Sequence, residues 1–168
     1  MDAWIGLGAN LGDRRATIEA ALDALRTLTR SRLIARSRLW ASPPLDAGGP
    51  DYLNAVARLD TGLAPRELIV ALQSIERRFG RERAYRNAPR TLDLDLLLAG
   101  EATLDLPDAE DSPALVVPHP RLHERAFVLR PMAEIDADVS IPGRGTVRRE
   151  LARVAAQRCE PLPRASRR

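Results

Sequence analysis

Asp93 and Asp95 stand one residue apart in "TLDLDLLLAG", alternating with Leu92, Leu94 and Leu96. As a strand, this period of two turns the leucines to one face and the carboxylates to the other. The two aspartate Cα atoms are then roughly 6.6 Å apart. Two carboxylates that close repel each other unless something positive sits between them. They are either a solvated strand face or a seat for Mg2+, which takes one or two carboxylates together with substrate phosphate oxygens. Arg81, Arg83, Arg86 and Arg90 lie just upstream. Alone, these arginines fit nucleic-acid contact or plain solvation. Beside two aspartates they favour a nucleoside triphosphate site: the carboxylates hold cations that bridge phosphate oxygens, and the guanidinium groups take the remaining charge.

A second group is "VPHPRLHERAF". Flanking prolines restrict the backbone around His119, which is either structural or a hydrogen-bond donor to phosphate. His123 reads as a helix-surface residue. Arg125 adds a further phosphate contact. Phe127 is either core or a stacking platform for a flat ligand. A third group is "YLNAVARL", where Asn54 falls among apolar neighbours. A buried amide needs partners. Asn54 either satisfies backbone or reads the edge of a planar heterocycle, and Tyr52 shares its face. "GLGANLGD" is neither a P-loop nor a dinucleotide fingerprint, since it has no G-K-[ST] and no acidic residue ends the next strand. It reads as a strand-to-helix turn.

Composition narrows the chemistry. The chain has 168 residues, 45% hydrophobic and 29% charged, the balance of one globular domain. All 26 basic residues are arginine and there is no lysine. Schiff-base lysine catalysis and a P-loop lysine are therefore excluded, and anions must be gripped by arginine forks. Formal net charge is +3. The single cysteine, Cys159, permits no internal disulfide and no thiolate cluster. "MDAWIGLGAN" has no basic segment leading an apolar run, and no apolar stretch reaches the ~18 residues of a membrane span. A cytoplasmic protein is expected.

The elements that must carry these groups follow from periodicity. A strand is expected over 3–9, then a helix capped by Asp13 and running to about 29, with Ile18, Leu22, Leu25 and Leu28 on one stripe. Strands follow over 32–41 and 52–61, separated by a Pro/Gly-rich loop. Pro65 opens a second helix that stops at Gly80, and the arginine-dense 81–90 is a loop. The aspartate strand comes next, with "GEATLD" as a hairpin return. "RLHERAFVLRPMAEI" mixes a short helix with an extended piece, and a last helix covers about 146–157. The order β-α-β-β-α-β implies an α+β fold: a ferredoxin-like core, an antiparallel sheet with helices on one face, and C-terminal additions. One domain over 1–160 with a loose basic tail at 161–168 is expected.

These motifs resemble the 6-hydroxymethyl-7,8-dihydropterin pyrophosphokinase family over nearly the whole length. The resemblance rests on "IGLGANLGD", "SPPL", "DYLNAV", "IERRFGRERAYRNAPRTLDLDLLL" and "VPHPRLHERAFVLRPMAEI". It implies transfer of diphosphate from ATP to the hydroxymethyl group of the dihydropterin, releasing AMP, in folate biosynthesis. It implies two Mg2+ ions on Asp93 and Asp95, with Arg81 and Arg90 acting on the phosphates during transfer. Arg83, Arg86, His119 and Arg125 match nucleotide contacts, with Gln73 and Glu76 on the second helix. Asn54, Tyr52 and Phe127 match pterin-pocket positions, closed by Ser42, Pro43 and Leu45. Many members carry Trp-Gly where this chain has Asn87 and Ala88, so ring packing rests more on Phe127 and Tyr52. The arginine segment is expected to close over ATP.

Two rival readings differ in class. A D-x-D glycosyltransferase normally needs a larger nucleotide-binding fold. An RNA-binding sheet displays stacking aromatics, and aromatics are only 4% here. Small-molecule substrates, no nucleic acid, no membrane and a monomer are expected.

Overall fold

The computed structural model describes residues 1–44, 49–79 and 91–163. The elements are β1 (Asp2–Ala9), α1 (Arg14–Arg26), β2 (Ser31–Arg36), β3 (Trp40–Ser42), β4 (Tyr52–Thr61), α2 (Pro65–Arg78), β5 (Asp93–Ala99), β6 (Leu104–Leu106), β7 (Leu115–Val117), α3 (Ala126–Asp136), β8 (Ser140–Ile141), β9 (Gly145–Thr146), α4 (Val147–Arg153) and β10 (Glu160–Pro161). A 3-10 turn, Leu122–Glu124, leads into α3.

Helix starts obey local chemistry. The Asp13 carboxylate accepts the Ala16 N–H at 3.0 Å, capping α1. Pro65 occupies the first position of α2, where its missing N–H costs no bond, and the Glu67 side chain accepts from Ala64 N.

The main sheet runs β10-β3-β4-β1-β5, with β2 also paired to β4, and every pairing is antiparallel. The long strand expected over 32–41 is split. β2 and β3 both lie along β4, and between them the Ser37 N–H donates to Val56 C=O while the Val56 N–H donates to Ser37 Oγ.

One face of β1 buries Ala3, Ile5, Leu7 and Ala9 with Ile18, Leu22 and Leu25 of α1 and Leu68, Leu72 and Ile75 of α2. The other face buries Trp4 with Val56, Leu129 and Met132 of α3, and Val147 of α4. Helices thus cover both faces, which corrects the expected single helical layer. The sequence signal for it was Trp4 and Val56, too apolar to face water.

Four further expectations change. "GEATLD" does not return along β5. Leu104–Leu106 pairs instead with Leu115–Val117, and the Leu97 carbonyl of β5 receives the His119 N–H at 2.9 Å. The segment 126–136 is helical throughout despite Pro131, whose ring is buried among Val128, Leu129 and Met132. Burial of that face outweighs the roughly 3 kcal/mol an interior proline costs. The last helix is shorter than expected, ending at Arg153, and Pro161 is paired to Trp40 rather than loose. No helix among the described residues is long and apolar enough to cross a membrane.

Glu134 of α3 ties this second layer to β3. It accepts from Trp40 Nε1 at 2.9 Å and from Arg38 Nε at 3.0 Å, with the Arg38 backbone N–H at 3.2 Å. Replacing Glu134 by alanine strands the indole N–H of a Trp40 that is only 8% exposed. The expected loss is about 2–3 kcal/mol, read as a fall in thermal midpoint of several degrees.

Candidate active site

Strand register assembles the site. Gly8 of β1 lies opposite Asn54 of β4 on one side and Asp93 of β5 on the other. Gly6 lies between Val56 and Asp95 in the same way. Trp40 and Ser42 of β3 face Asn54 and Tyr52. Asp93, Asp95, Asn54, Tyr52 and Ser42 therefore share the sheet face that carries Trp4, and α3 packs on the Trp4 and Val56 part of it. Leu94 and Leu96 go to the opposite core, as the alternation predicts. A bulge beyond Leu96 then sends Leu97 and Leu98 into the second core.

The two glycines form a floor without side chains. Among the described residues, a Cβ on Gly8 would meet only Asn54 Oδ1, at 3.7 Å, and one on Gly6 would meet the Leu97 side chain at 3.4 Å. Neighbouring strands are about 4.8 Å apart, so Asn54 and Asp93 stand roughly 10 Å from one another across the floor. Among the described residues, the glycine backbone between them leaves a trough.

Asn54 is 5% exposed. Its Nδ2 donates to Ser42 Oγ at 2.9 Å and to the Trp40 carbonyl at 3.3 Å. With the amide nitrogen engaged, Oδ1 is the atom turned toward Gly8. Ser42 thus acts first on the orientation of Asn54. Pro43 follows it, and Tyr52 is half-buried.

At the other end, His119 Nε2 and Arg125 Nη1 each lie 4.0 Å from Asp95 Oδ2. The Arg121 N–H donates to His119 Nδ1 at 3.2 Å, so the neutral ring carries its proton on Nε2, the nitrogen on the Asp95 side. Burial pushes His119 down to about 4, and the nearby Arg125 cation adds to this while Asp93 opposes it. Burial also lowers the Arg125 guanidinium, against the pull of Asp95. Arg125 lies over the Phe127 ring, 5.6 Å from its centroid. Phe127 is half-buried at the start of α3, packed against the second core.

The His119 value carries a prediction for the metal-free, nucleotide-free protein. Its folded pKa lies below the ordinary 6.5. Between pH 6.5 and about 4 the unfolded chain binds more protons, so stability is fully present above pH 6.5 and falls as pH drops toward 4. The loss reaches at most about 3 kcal/mol. A proton NMR titration should place the ring midpoint near 4, and His119→Gln should flatten that limb of the stability profile. A midpoint above 6 would contradict the burial argument.

Two residues expected near the nucleotide are placed on α2. Glu76 is 1% exposed, and its Oε1 accepts the Leu94 N–H at 2.8 Å, between the two aspartates. This bond ties α2 to the strand carrying the carboxylates. Gln73 is half-buried on the same helix. Leu45, Arg81, Arg83, Arg86 and Arg90 lie outside the described residues, as do Asn87 and Ala88. His123, read as a helix-surface residue, has a side chain only 17% exposed within the 3-10 turn, its Nε2 3.5 Å from Glu124.

The donor chemistry at Asp93 and Asp95 suits a hard cation, being carboxylate oxygen only. Among the described residues no three His, Cys, Asp or Glu side chains converge to enclose an ion. Such a pair leaves coordination positions for water and phosphate oxygens, the arrangement Mg2+ favours.

A model of the 7,8-dihydro-6-hydroxymethylpterin-pyrophosphokinase (HPPK) family matches residues 4–137. A Pseudomonas aeruginosa protein named 2-amino-4-hydroxy-6-hydroxymethyldihydropteridine pyrophosphokinase is 46% identical over 161 residues, covering 95% of this chain and 96% of its own. A Haemophilus influenzae protein of the same name is 40% identical over 141 residues, 83% of this chain and 84% of its own. Among solved structures, a Plasmodium falciparum HPPK-DHPS chain superposes with a TM-score of 0.75 at 12% identity. That match covers 90% of this chain but 45% of the Plasmodium chain.

Proposed function

Because the chain belongs to the 7,8-dihydro-6-hydroxymethylpterin-pyrophosphokinase family, we propose that its glycine-floored trough seats the pterin and its paired aspartates the reacting phosphates. The enzyme transfers diphosphate from ATP to the hydroxymethyl group of 6-hydroxymethyl-7,8-dihydropterin, leaving AMP, in folate biosynthesis. The observation that carries the assignment is the register: Asn54 and Asp93 flank Gly8 on one sheet face.

On this reading Asn54 Oδ1 accepts a hydrogen bond from an N–H on the pterin edge. Tyr52, Ser42, Pro43, Leu45 and Phe127 line or close the pocket. The hydroxymethyl group then points toward Asp93 and Asp95. These two carboxylates would hold two Mg2+ ions, which would offset phosphate charge and ease loss of the hydroxyl proton. His119 donates Nε2–H to a phosphate oxygen, and Arg125 adds a guanidinium beside it. Glu76 holds the strand between the carboxylates, with Gln73 toward the nucleotide. Arg83 and Arg86 contact the nucleotide, while Arg81 and Arg90 neutralise charge that shifts during transfer. Arg90 is three residues from Asp93 along the chain, which supports a role at the same phosphates. Fixed charges and positioning supply most of the rate in this chemistry.

We also read the strand order, with β2 and β3 as two halves of one strand, as the ferredoxin-like arrangement of a single domain.

The direct test is AMP release from ATP with hydroxymethyldihydropterin, run against a filter-binding assay with RNA. Pterin-dependent AMP is the expected result. RNA retention without AMP would overturn the assignment. Asn54→Ala should raise the KM for pterin by about tenfold or more with a smaller effect on the KM for ATP, since it removes one buried hydrogen-bond partner of the substrate.

A further inference from the structure

We propose that Gln157, in the C-terminal segment, is a positioning residue of the active site: it caps α3 in trans and so fixes the backbone on both sides of Arg125. The inference rests on the reading above that Arg125 faces the nucleotide.

The need for such a cap is visible at the helix start. Arg125 occupies the position before the first residue of α3, where Ser, Thr, Asp or Asn would ordinarily accept a helix N–H. An arginine side chain has no acceptor, and this one is turned toward Asp95 instead. The helix therefore begins on a residue whose side chain is committed to the site.

Gln157 supplies what Arg125 lacks. Its Oε1 accepts the Ala126 N–H at 2.9 Å, and its Nε2 donates to the Glu124 carbonyl at 2.8 Å. One amide thus bonds to the peptide groups immediately before and after Arg125. The reach is long in sequence, 31 residues from Ala126 and 33 from Glu124. It also lies beyond the 4–137 region matched by the family model.

The residues after Gln157 anchor the same segment to the opposite wall. Arg158 Nη2 bonds Asp51 Oδ1 at 2.9 Å and Oδ2 at 3.0 Å, one residue before Tyr52. Cys159 is buried in the second core. Glu160 and Pro161 pair with Ala41 and Trp40, and the Leu162 N–H reaches the Leu39 carbonyl at 2.8 Å. A chain held at Asp51 and β3 cannot drift, so Gln157 is presented to α3 from a fixed base. The C-terminal segment therefore spans from the Arg125 side of the trough to the Trp40–Ser42 side.

The test compares Q157A, Q157E and R125A in the full-length enzyme, by AMP release with ATP-Mg2+ and hydroxymethyldihydropterin. Q157A should raise the KM for ATP about fivefold, the order expected for losing a hydrogen-bonded support. Q157E keeps the acceptor for Ala126 N–H and should recover part of that loss. A purely structural brace would lower the thermal midpoint and leave both KM values of the folded enzyme unchanged, and that result overturns the proposal. Should Q157A fail to fold, Q157N takes its place, since its amide is one methylene short of both peptide groups. An ATP KM raised in R125A but unchanged in the Gln157 variants sinks only this inference. An ATP KM unchanged in R125A sinks the assignment of Arg125 along with it.

Discussion

Asp95→Asn should lower kcat for AMP release by about a hundred- to a thousandfold, the range seen when one fixed electrostatic group is removed from a transferring centre. The melting temperature of the metal-free protein should fall by no more than a few degrees, the cost of taking an anion from the half-buried Arg125. Asn is nearly isosteric, and the Asp95 side chain is 37% exposed on the sheet face rather than part of either core. Its negative charge also faces Asp93 two residues away, a repulsion that Asn removes. The loss should fall on kcat rather than on the KM for ATP. Without the Asp95 charge, Arg125 at 4.0 Å loses the anion that competes with phosphate for its guanidinium, so nucleotide binding need not weaken. Titration with Mg2+ should show a higher metal requirement in the variant, and Asp93→Asn should behave in the same direction. A kcat within fivefold of the parent enzyme, with unchanged metal dependence, would remove Asp95 from the chemistry.

The parts of the fold read from the sequence were those governed by short-range rules. The Asp13 cap, Pro65 at the start of α2, and the alternation in β5 each depend on neighbours within a few residues, and each is present. What failed depended on where distant pieces of chain meet. "GEATLD" lost its expected partner because residues near His119 reach the β5 edge first. The second helical layer needed Trp4 and Val56 to be recognised as covered, and their cover comes from α3, some 70 residues or more downstream. An extended piece was expected within "RLHERAFVLRPMAEI", yet the helix persists through Pro131 where its apolar face is buried.

The candidate site divides in the same way. That Asp93, Asp95 and Asn54 lie on strands, with the two aspartates turned from the leucines, was legible because alternation along a strand is a local rule. Ser42 owes its place to a side-chain bond with Asn54 that only tertiary contact reveals. Gln157 sits in a segment with no apolar periodicity, so nothing local marks it. Gly6 and Gly8 did carry a signal, one that a turn reading of "GLGANLGD" passes over. They alternate with Ile5, Leu7 and Ala9, which places them together on the opposite face of β1.

That alternation leads to the sharpest separation of folding from function in this protein. Gly8→Val should leave the fold intact while cutting kcat/KM for the pterin by about a hundredfold or more, through loss of the space a flat ring needs. Gly8 has no positive φ, so a side chain there meets no backbone strain. Among the described residues its added Cβ would find only Asn54 Oδ1, at an ordinary 3.7 Å, and valine suits a strand better than glycine. The two γ-carbons, however, would stand in the trough between Asn54 and Asp93. Gly8→Ala should fall between the parent and the valine variant, since one methyl raises the floor without bridging it. Gly6→Ala is the control for position: its Cβ would press on Leu97 at 3.4 Å, so it should disturb packing rather than select against the pterin. The kcat/KM for AMP release, calorimetry with the pterin, and the variant's melting curve against the parent's are the measurements required. A Gly8→Val enzyme that binds pterin as tightly as the parent would place the ring elsewhere. One that binds poorly only because it no longer melts cooperatively would make Gly8 a folding residue and not a pocket floor.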